Sequence, residues 1–101
     1  MQKAKYFLTH KAVEDLSDIW EYTYEEWSEK QANKYYKLLV ESCQEVANNP
    51  NFGKSYESVL KDLLGFKSNH HIIFFRIIGH NEIEVVRILH ERMDLKSKFE
   101  K

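Results

Sequence analysis

Apolar residues recur at helical spacing between positions 11 and 27 of the chain. On a wheel of about 100° per residue they share one side of a helix. These residues are Ala12, Val13, Leu16, Ile19, Trp20, Thr23 and Trp27. Residues 3–9 precede them, alternate loosely between polar and apolar side chains, and end at Thr9, a favourable N-cap residue. The pattern predicts a first strand over 3–9 and an amphipathic helix from about Lys11 to Trp27.

A second helix is indicated by Ser28 and Gln31, which have the spacing of a capping box that satisfies free backbone N–H groups. Its apolar stripe consists of Ala32, Tyr35, Tyr36, Leu39, Val40, Cys43, Val46 and Ala47. Pro50 ends this helix, because proline cannot supply the next backbone hydrogen bond. Since almost no residues separate the two helices, they are predicted to form an antiparallel hairpin.

The second half of the chain has the pattern of strands. Residues 63–68, 70–78 and 82–90 are rich in Ile, Val and Phe and are separated by turn residues, whereas 51–62 have the pattern of a loop. The last two of these strands are apolar on both faces, so one face is expected to meet the helices and the other a partner or the C-terminal segment. Residues 93–101 are compatible with a short helix or with an irregular end.

The element order predicted from these patterns is β-α-α-β-β-β. It corresponds to an α+β fold in which a helical hairpin packs on a small, mostly antiparallel sheet. With 101 residues, of which 43% are hydrophobic, the chain has material for one compact core, so 1–101 are expected to form a single domain.

Composition narrows the class of protein further. The N-terminal residues are too polar for a signal peptide, and no apolar run approaches the roughly 20 residues of a membrane span, so we expect a cytoplasmic protein without a membrane partner. The net charge of −1 divides into −3 for residues 1–50 and +2 for residues 51–101. Proteins that bind nucleic acid through phosphates are usually clearly basic. Direct sequence-specific binding of nucleic acid is therefore not expected.

Three segments carry motifs more specific than hydrophobic pattern. Residues 12–23 read A-x-x-D-L-x-x-I-x-x-Y-T, residues 71–76 read H-I-I-F-F-R, and residues 86–94 read V-R-I-L-H-E-R-M-D. In this order and at this chain length, the motifs resemble the ParE/RelE family of toxins from bacterial type II toxin–antitoxin systems, on the ParE side. The resemblance covers nearly the whole chain. One departure is Phe75, which stands where the family strand often has tyrosine.

The resemblance implies a plasmid-stabilisation type of toxin that is neutralised by a cognate ParD-like antitoxin and poisons DNA gyrase without catalysis or cofactor. The RelE branch of the family instead cleaves mRNA on the ribosome, using several cations and a C-terminal tyrosine. This chain has no tyrosine after Tyr56 and is nearly neutral, which favours the gyrase hypothesis. A third possibility is also left open, namely that the chain is a diverged family member that binds an antitoxin but is not toxic.

Seven residues are candidates for binding a partner, and none is assigned a catalytic or metal-binding role. They are Tyr22, His71, Arg76, Arg87, His90, Arg92 and Asp94. Tyr22 lies among acidic residues on the first helix, and exposed aromatic residues often anchor interfaces. The charged residues lie on or just beyond apolar strands, where an unpaired charge is costly, so internal ion pairing with Asp94 or with a carboxylate of the first helix is an equal alternative.

The histidines do not indicate a metal site. His70 and His71 are adjacent on a predicted strand and should point to opposite faces, and no cluster of cysteines or carboxylates has ligand spacing. His71 and His90 are expected to form local hydrogen bonds or to border a groove. Cys43 lies in the apolar stripe of the second helix, where a buried, unreactive thiol is expected.

Overall fold

Residues 4–99 are described by a computed structural model. They form strand β1 (Lys5–Leu8), helices α1 (His10–Glu26) and α2 (Glu29–Asn48), a 3-10 turn (Pro50–Phe52), strands β2 (Lys54–Ser55), β3 (Leu64–Ser68), β4 (His71–Gly79) and β5 (Glu82–His90), and helix α3 (Leu95–Phe99). The predicted fold class is confirmed: a helical hairpin packs on a small sheet, and α3 is the last of the described elements. The segment after β5 is thus helical within the described residues. None of the described helices combines the length and the apolar character needed to cross a membrane.

Both long helices begin at the residues that the sequence indicated. The Thr9 hydroxyl oxygen accepts a hydrogen bond from the Ala12 N–H (3.1 Å), and the Ser28 hydroxyl oxygen accepts one from the Gln31 N–H (3.1 Å). Each cap satisfies a backbone donor that has no partner inside the helix. The extended backbone of Ser28 lets α2 start directly after α1 ends.

The sheet has the order β1-β5-β4-β3-β2. Strands β3, β4 and β5 form the expected antiparallel meander, and β1 joins its edge parallel to β5. The two-residue strand β2 pairs with β3, so the predicted loop over 51–62 contains a short piece of sheet. Among the strands of residues 4–99, only the β1–β5 pairing is parallel, in agreement with a mostly antiparallel sheet.

Each face of the sheet has its own core. The helical hairpin covers one face, where Leu39, Val46, Ile73, Phe75 and Ile88 are buried. On the other face the buried residues are Leu63, Ile72, Phe74 and Leu89, and they are covered by side chains of residues 56–60 and of α3. This second core explains why β4 and β5 are apolar on both sides.

Two residues assigned to the apolar stripe of α1 are exposed, and this part of the prediction is wrong. The side chain of Val13 is 47% exposed and that of Trp27 is 75% exposed. Trp27 directly follows the last residue of α1, where the backbone leaves helical geometry, so helical spacing no longer sets its direction. Tyr36, in the stripe of α2, is also exposed.

Candidate binding pocket

A pocket of about 660 Å³ lies between the second half of α1, the start of α2 and the adjoining ends of β4 and β5. Its lining consists of Asp18, Ile19, Tyr22, Thr23, Trp27, Gln31, Tyr35, His70, His71, His90 and Met93. Most of these contribute apolar or aromatic surface. The volume lies within the range of about 300–1,000 Å³ that is usual for ligand pockets.

One side of the pocket is formed by three imidazoles. The rings of His71 and His90 meet edge to face with their centroids 5.3 Å apart, and the rings of His70 and His90 stack at 6.4 Å. His70 lies in the turn before β4 and not within the strand, so the expectation that His70 and His71 face opposite sides is wrong. A turn residue is not bound by the alternation of a strand.

A hydrogen bond of 2.7 Å between the Tyr35 hydroxyl and His71 Nδ1 ties α2 to β4 beneath this cluster. Burial, together with the smaller effect of the nearby imidazoles of His90 and His70, lowers the pKa of His71 to about 4. Burial also raises the pKa of the Tyr35 phenol. Both groups are therefore neutral at neutral pH, and the hydroxyl can donate to Nδ1 when the imidazole is protonated on Nε2.

The rim of the pocket is aromatic and acidic. Tyr22 and Trp27 are 66% and 75% exposed, and together with Asp18 they line the pocket on the α1 side. On the sheet side, His70 and Lys67 contact Glu91, and hydrogen bonds from Lys67 and His70 lower the pKa of that carboxyl to about 2. Glu91 therefore stays ionised next to the histidine cluster.

The residues that line the pocket include no lysine or arginine, the cations that phosphate transfer uses where negative charge develops. The thiol of Cys43 is buried in the hairpin core and its pKa is raised by burial to about 12, so it is not a nucleophile. Within residues 4–99 no three His, Cys, Asp or Glu side chains are arranged to hold a metal ion.

Three of the seven candidate residues meet at the pocket, namely Tyr22, His71 and His90. Arg87 makes an internal pair, which was the alternative considered for it. Its Nε and Nη2 donate to the two carboxylate oxygens of Asp15 at 2.8 and 2.9 Å, and its Nη1 donates to the Lys98 carbonyl at 3.1 Å. The hydrogen bonds to Asp15 raise the pKa of Arg87.

The other three candidates lie outside the pocket lining. Arg76 pairs in the sheet register with Glu84, and its Nε is buried without a hydrogen-bond partner among the described residues. Arg92 is exposed in the turn after β5. The Asp94 carboxylate accepts a hydrogen bond from the Lys96 N–H at the start of α3. Among the described residues it forms no ion pair with Arg87, which binds Asp15 instead, or with Arg92.

The sequence reasoning did not select several residues that line the pocket. Ile19, Thr23 and Trp27 were assigned to the core, and Gln31 was considered only as a cap. The one usable signal was the spacing of Asp18 and Tyr22, four residues apart on the same side of a helix. The contribution of Tyr35 depends on contacts with residues 36 positions away, which local spacing does not encode.

Comparison with known proteins places these features in a family context. The family model described as the ParE toxin of the parDE type II toxin–antitoxin system matches residues 6–95. A protein named Toxin ParE1 from Mycobacterium tuberculosis is 33% identical over 92 residues, which cover 91% of this chain and 94% of that protein. The fold is similar to that of a solved chain from the chromosomal ParDE system of P. aeruginosa, with a TM-score of 0.74, 22% identity, and coverage of 87% of this chain and 96% of that one.

A second solved structure shares the fold at lower identity. It is a chain of the toxin–antitoxin complex RelBE2 from Mycobacterium tuberculosis, with a TM-score of 0.67 and 17% identity, covering 89% of this chain and all of that one. At these identities the two structures show the fold alone.

Proposed function

Because the chain belongs to the ParE toxin family of type II toxin–antitoxin systems, we propose that it acts in the cytoplasm by binding DNA gyrase and that a ParD-like antitoxin neutralises it. In this proposal the chain has no catalytic activity of its own, and the pair serves to stabilise the replicon that encodes it. The observation that carries the proposal is the match to the ParE family over residues 6–95.

The composition of the pocket supports a binding mode of action. Its walls are apolar and aromatic, and the imidazole of His71 in them is neutral at neutral pH because burial keeps its pKa near 4. An apolar, partly buried surface of this kind gains free energy when an apolar partner displaces water from it. We assign this surface to protein recognition.

The same features argue against an mRNA endonuclease. A nuclease needs cations near the scissile phosphate and a group able to donate a proton to the leaving oxygen. The pocket lining contains no lysine or arginine, and His71 is unprotonated at neutral pH. Arg92 is exposed in the turn after β5, and no tyrosine follows Tyr56.

The experiment is to induce the chain in cells that lack an antitoxin while measuring DNA synthesis and translation separately. We expect DNA synthesis to stop first and the cells to become filamentous, and we expect the purified chain to inhibit supercoiling by purified gyrase. An immediate stop in translation with cleaved mRNA would contradict this proposal and support an mRNA endonuclease instead. Normal growth would leave a family member that binds an antitoxin without being toxic.

A further inference from the structure

Helix α3 is too short to be stable by itself, and it lies on the face of the sheet opposite the hairpin. It has 5 residues, whereas isolated helices shorter than about 12–15 residues are marginal in water. Its Leu95 and Phe99 pack on the buried residues of that face, and Phe99 meets Phe74 edge to face with ring centroids 5.3 Å apart. The position of α3 therefore depends on contacts with the rest of the chain.

Arg87 of β5 connects α3 to the hairpin on the other face. It lies opposite Phe74 in the sheet register, which places it on the face that α3 covers. Strand β1 pairs with β5 only as far as Val85, so no strand separates Arg87 from α1. The guanidinium donates to Asp15 of α1 at 2.8 and 2.9 Å and to the Lys98 carbonyl of α3 at 3.1 Å.

Asp15 holds the guanidinium in one orientation. Both carboxylate oxygens accept from it in a bidentate geometry, and the side chains of Arg87 and Asp15 are only 16% and 11% exposed. Because Nε and Nη2 are bound to Asp15, the planar group directs Nη1 at the Lys98 carbonyl. Carbonyls at the C-terminal end of a helix lack partners within the helix and favour a positive charge. The orientation that Asp15 imposes is thus the one that suits α3.

We propose that Arg87 is a latch between the hairpin and α3, and that α3 stays docked on the sheet only while Asp15 holds the guanidinium. When the latch is broken, α3 detaches and uncovers apolar residues that are now at most 8% exposed, namely Leu63, Ile72, Phe74 and Leu89. The strands stay paired, since α3 contributes no strand to the sheet. The latch involves neither gyrase nor an antitoxin, so it stands or falls separately from the proposed function.

The test measures how often α3 opens in the full chain. Trypsin cleaves after Lys96 only when α3 has left its docked, helical state, so the rate of this cleavage at low protease concentration reports the open fraction. Mass spectrometry of the intact chain and its products follows the rate. Arg87→Lys keeps the positive charge, but a single ammonium cannot reproduce the planar fork that reaches both partners. We expect cleavage after Lys96 to become about tenfold faster, as loss of a hydrogen bond from a charged donor implies.

Two controls separate the latch from a general loss of stability. Arg92→Lys makes the same substitution in the exposed turn between β5 and α3, and its cleavage rate should stay within about twofold of the wild type. Ser42→Ala removes the buried hydrogen bond to Ser68 (2.8 Å) that joins α2 to β3. It should lower the free energy of unfolding and still leave cleavage after Lys96 within about twofold, because α3 opens locally without global unfolding.

A second measurement uses the reciprocity of coupling between two sites. Phe99→Ala weakens the docking of α3, so it should loosen the contact of Asp15 with β5. Hydrogen exchange of the Ile88 N–H, which donates to Asp15, should become about fivefold faster or more. The Thr9 N–H, which donates to the Val85 carbonyl where β1 still pairs with β5, is the reference and should keep its rate. This measurement decides the matter even if Arg87→Lys does not fold.

Three results would overturn the proposal. The first is equal cleavage after Lys96 in Arg87→Lys and wild type, which would mean that α3 docks without the latch. The second is an equal acceleration in Ser42→Ala, which would mean that cleavage reports only global stability. The third is an unchanged exchange rate of the Ile88 N–H in Phe99→Ala, which would mean that α3 and the hairpin are not coupled.

Discussion

Asp15 is a buried carboxylate on α1 that joins the hairpin to the last strand of the sheet. It is 9% exposed and accepts hydrogen bonds from Arg87 Nε, Arg87 Nη2 and the Ile88 N–H. Strand β1 pairs with β5 only as far as Val85, so the Ile88 N–H has no partner in a neighbouring strand on that side. The Asp15 carboxylate takes the place of that partner. A single side chain therefore neutralises an arginine and satisfies a buried backbone donor.

We predict that Asp15→Ala lowers the free energy of unfolding by about 3–5 kcal/mol, because it leaves a partly buried guanidinium and a buried N–H without their acceptor. Urea unfolding followed by circular dichroism measures this change. Glu14→Ala on the neighbouring, exposed position is the control and should have no measurable effect. Equal stability of Asp15→Ala and wild type would show that water replaces the carboxylate without cost.

The neutral state of His71 makes stability depend on pH. Its pKa of about 4 in the folded protein lies below the ordinary value of 6.5, so the unfolded chain binds the proton more readily. Stability should therefore fall as the pH drops from about 6.5 towards 4, by about 1–2 kcal/mol since the ring is only partly buried. Thermal unfolding at several pH values should show this loss in the wild type.

A matched pair of variants assigns that loss to one histidine. His71→Gln keeps an acceptor for the Tyr35 hydroxyl but does not titrate, so its stability should change less over the same pH range. His80→Gln alters an exposed histidine in the turn between β4 and β5 and should keep the wild-type pH dependence. Identical pH profiles for His71→Gln and wild type would contradict the assignment.

Residue types and spacing identified the chemistry of the site better than its geometry. Tyr22, His71 and His90 were candidates and line the pocket, and pairing of Arg87 with a carboxylate of the first helix was considered. The choice of Asp15 over the other acids of α1 depends on the docking of α1 against β5, across 72 positions of sequence. Local patterns carry no information about such a contact.

At the scale of elements, the N-cap of α1 also fastens the helix to the sheet. Thr9 Oγ1 accepts from the Ala12 N–H and donates to the Val86 carbonyl, and the Thr9 N–H donates to the Val85 carbonyl. The helix thus starts at a fixed point on β5. The cap of α2 at Ser28 is exposed and serves only the helix.

We predict that Thr9→Ala costs about 2 kcal/mol of stability and Ser28→Ala about 1 kcal/mol or less, because only Thr9 loses a bond to the sheet in addition to its cap. Thr9→Ser keeps the hydroxyl and should recover most of the loss. Chemical denaturation of the three variants under one set of conditions measures the differences. A larger loss for Ser28→Ala would mean that the contact between Thr9 and Val86 contributes nothing.

Helices and the strand meander were predictable because their signals are local: caps, apolar periodicity and turn residues. Two features were not. The parallel pairing of β1 with β5 joins segments about 77 residues apart, and the sequence of β1 does not state which edge it joins. Trp27 is exposed because the backbone leaves helical geometry at the end of α1. A helical wheel that includes Trp27 assumes regular helical spacing and therefore places its side chain wrongly.

Considered as a whole, the molecule is two cores that share one sheet. Phe74 and Phe75 are adjacent on β4 and both are fully buried, but Phe74 belongs to the core beneath α3 and Phe75 to the core beneath the hairpin. A register irregularity between β4 and β5 falls between them. Because consecutive strand residues supply the two cores, neither core can lose its packing without disturbing the backbone of the other.

We therefore predict that the whole chain unfolds in a single transition. Phe74→Leu and Phe75→Leu should each lower the free energy of unfolding by about 1–2 kcal/mol. Each variant should shift the unfolding transition of the hairpin and that of the opposite face of the sheet by the same amount. Fluorescence of Trp20 and Trp27 reports the hairpin, and hydrogen exchange of residues 56–68 at increasing urea concentration reports the opposite layer. If Phe74→Leu increased hydrogen exchange only in residues 56–68 and left the tryptophan transition unchanged, the two cores would unfold independently. The core beneath α3 could then open while the pocket beside α1 stayed intact.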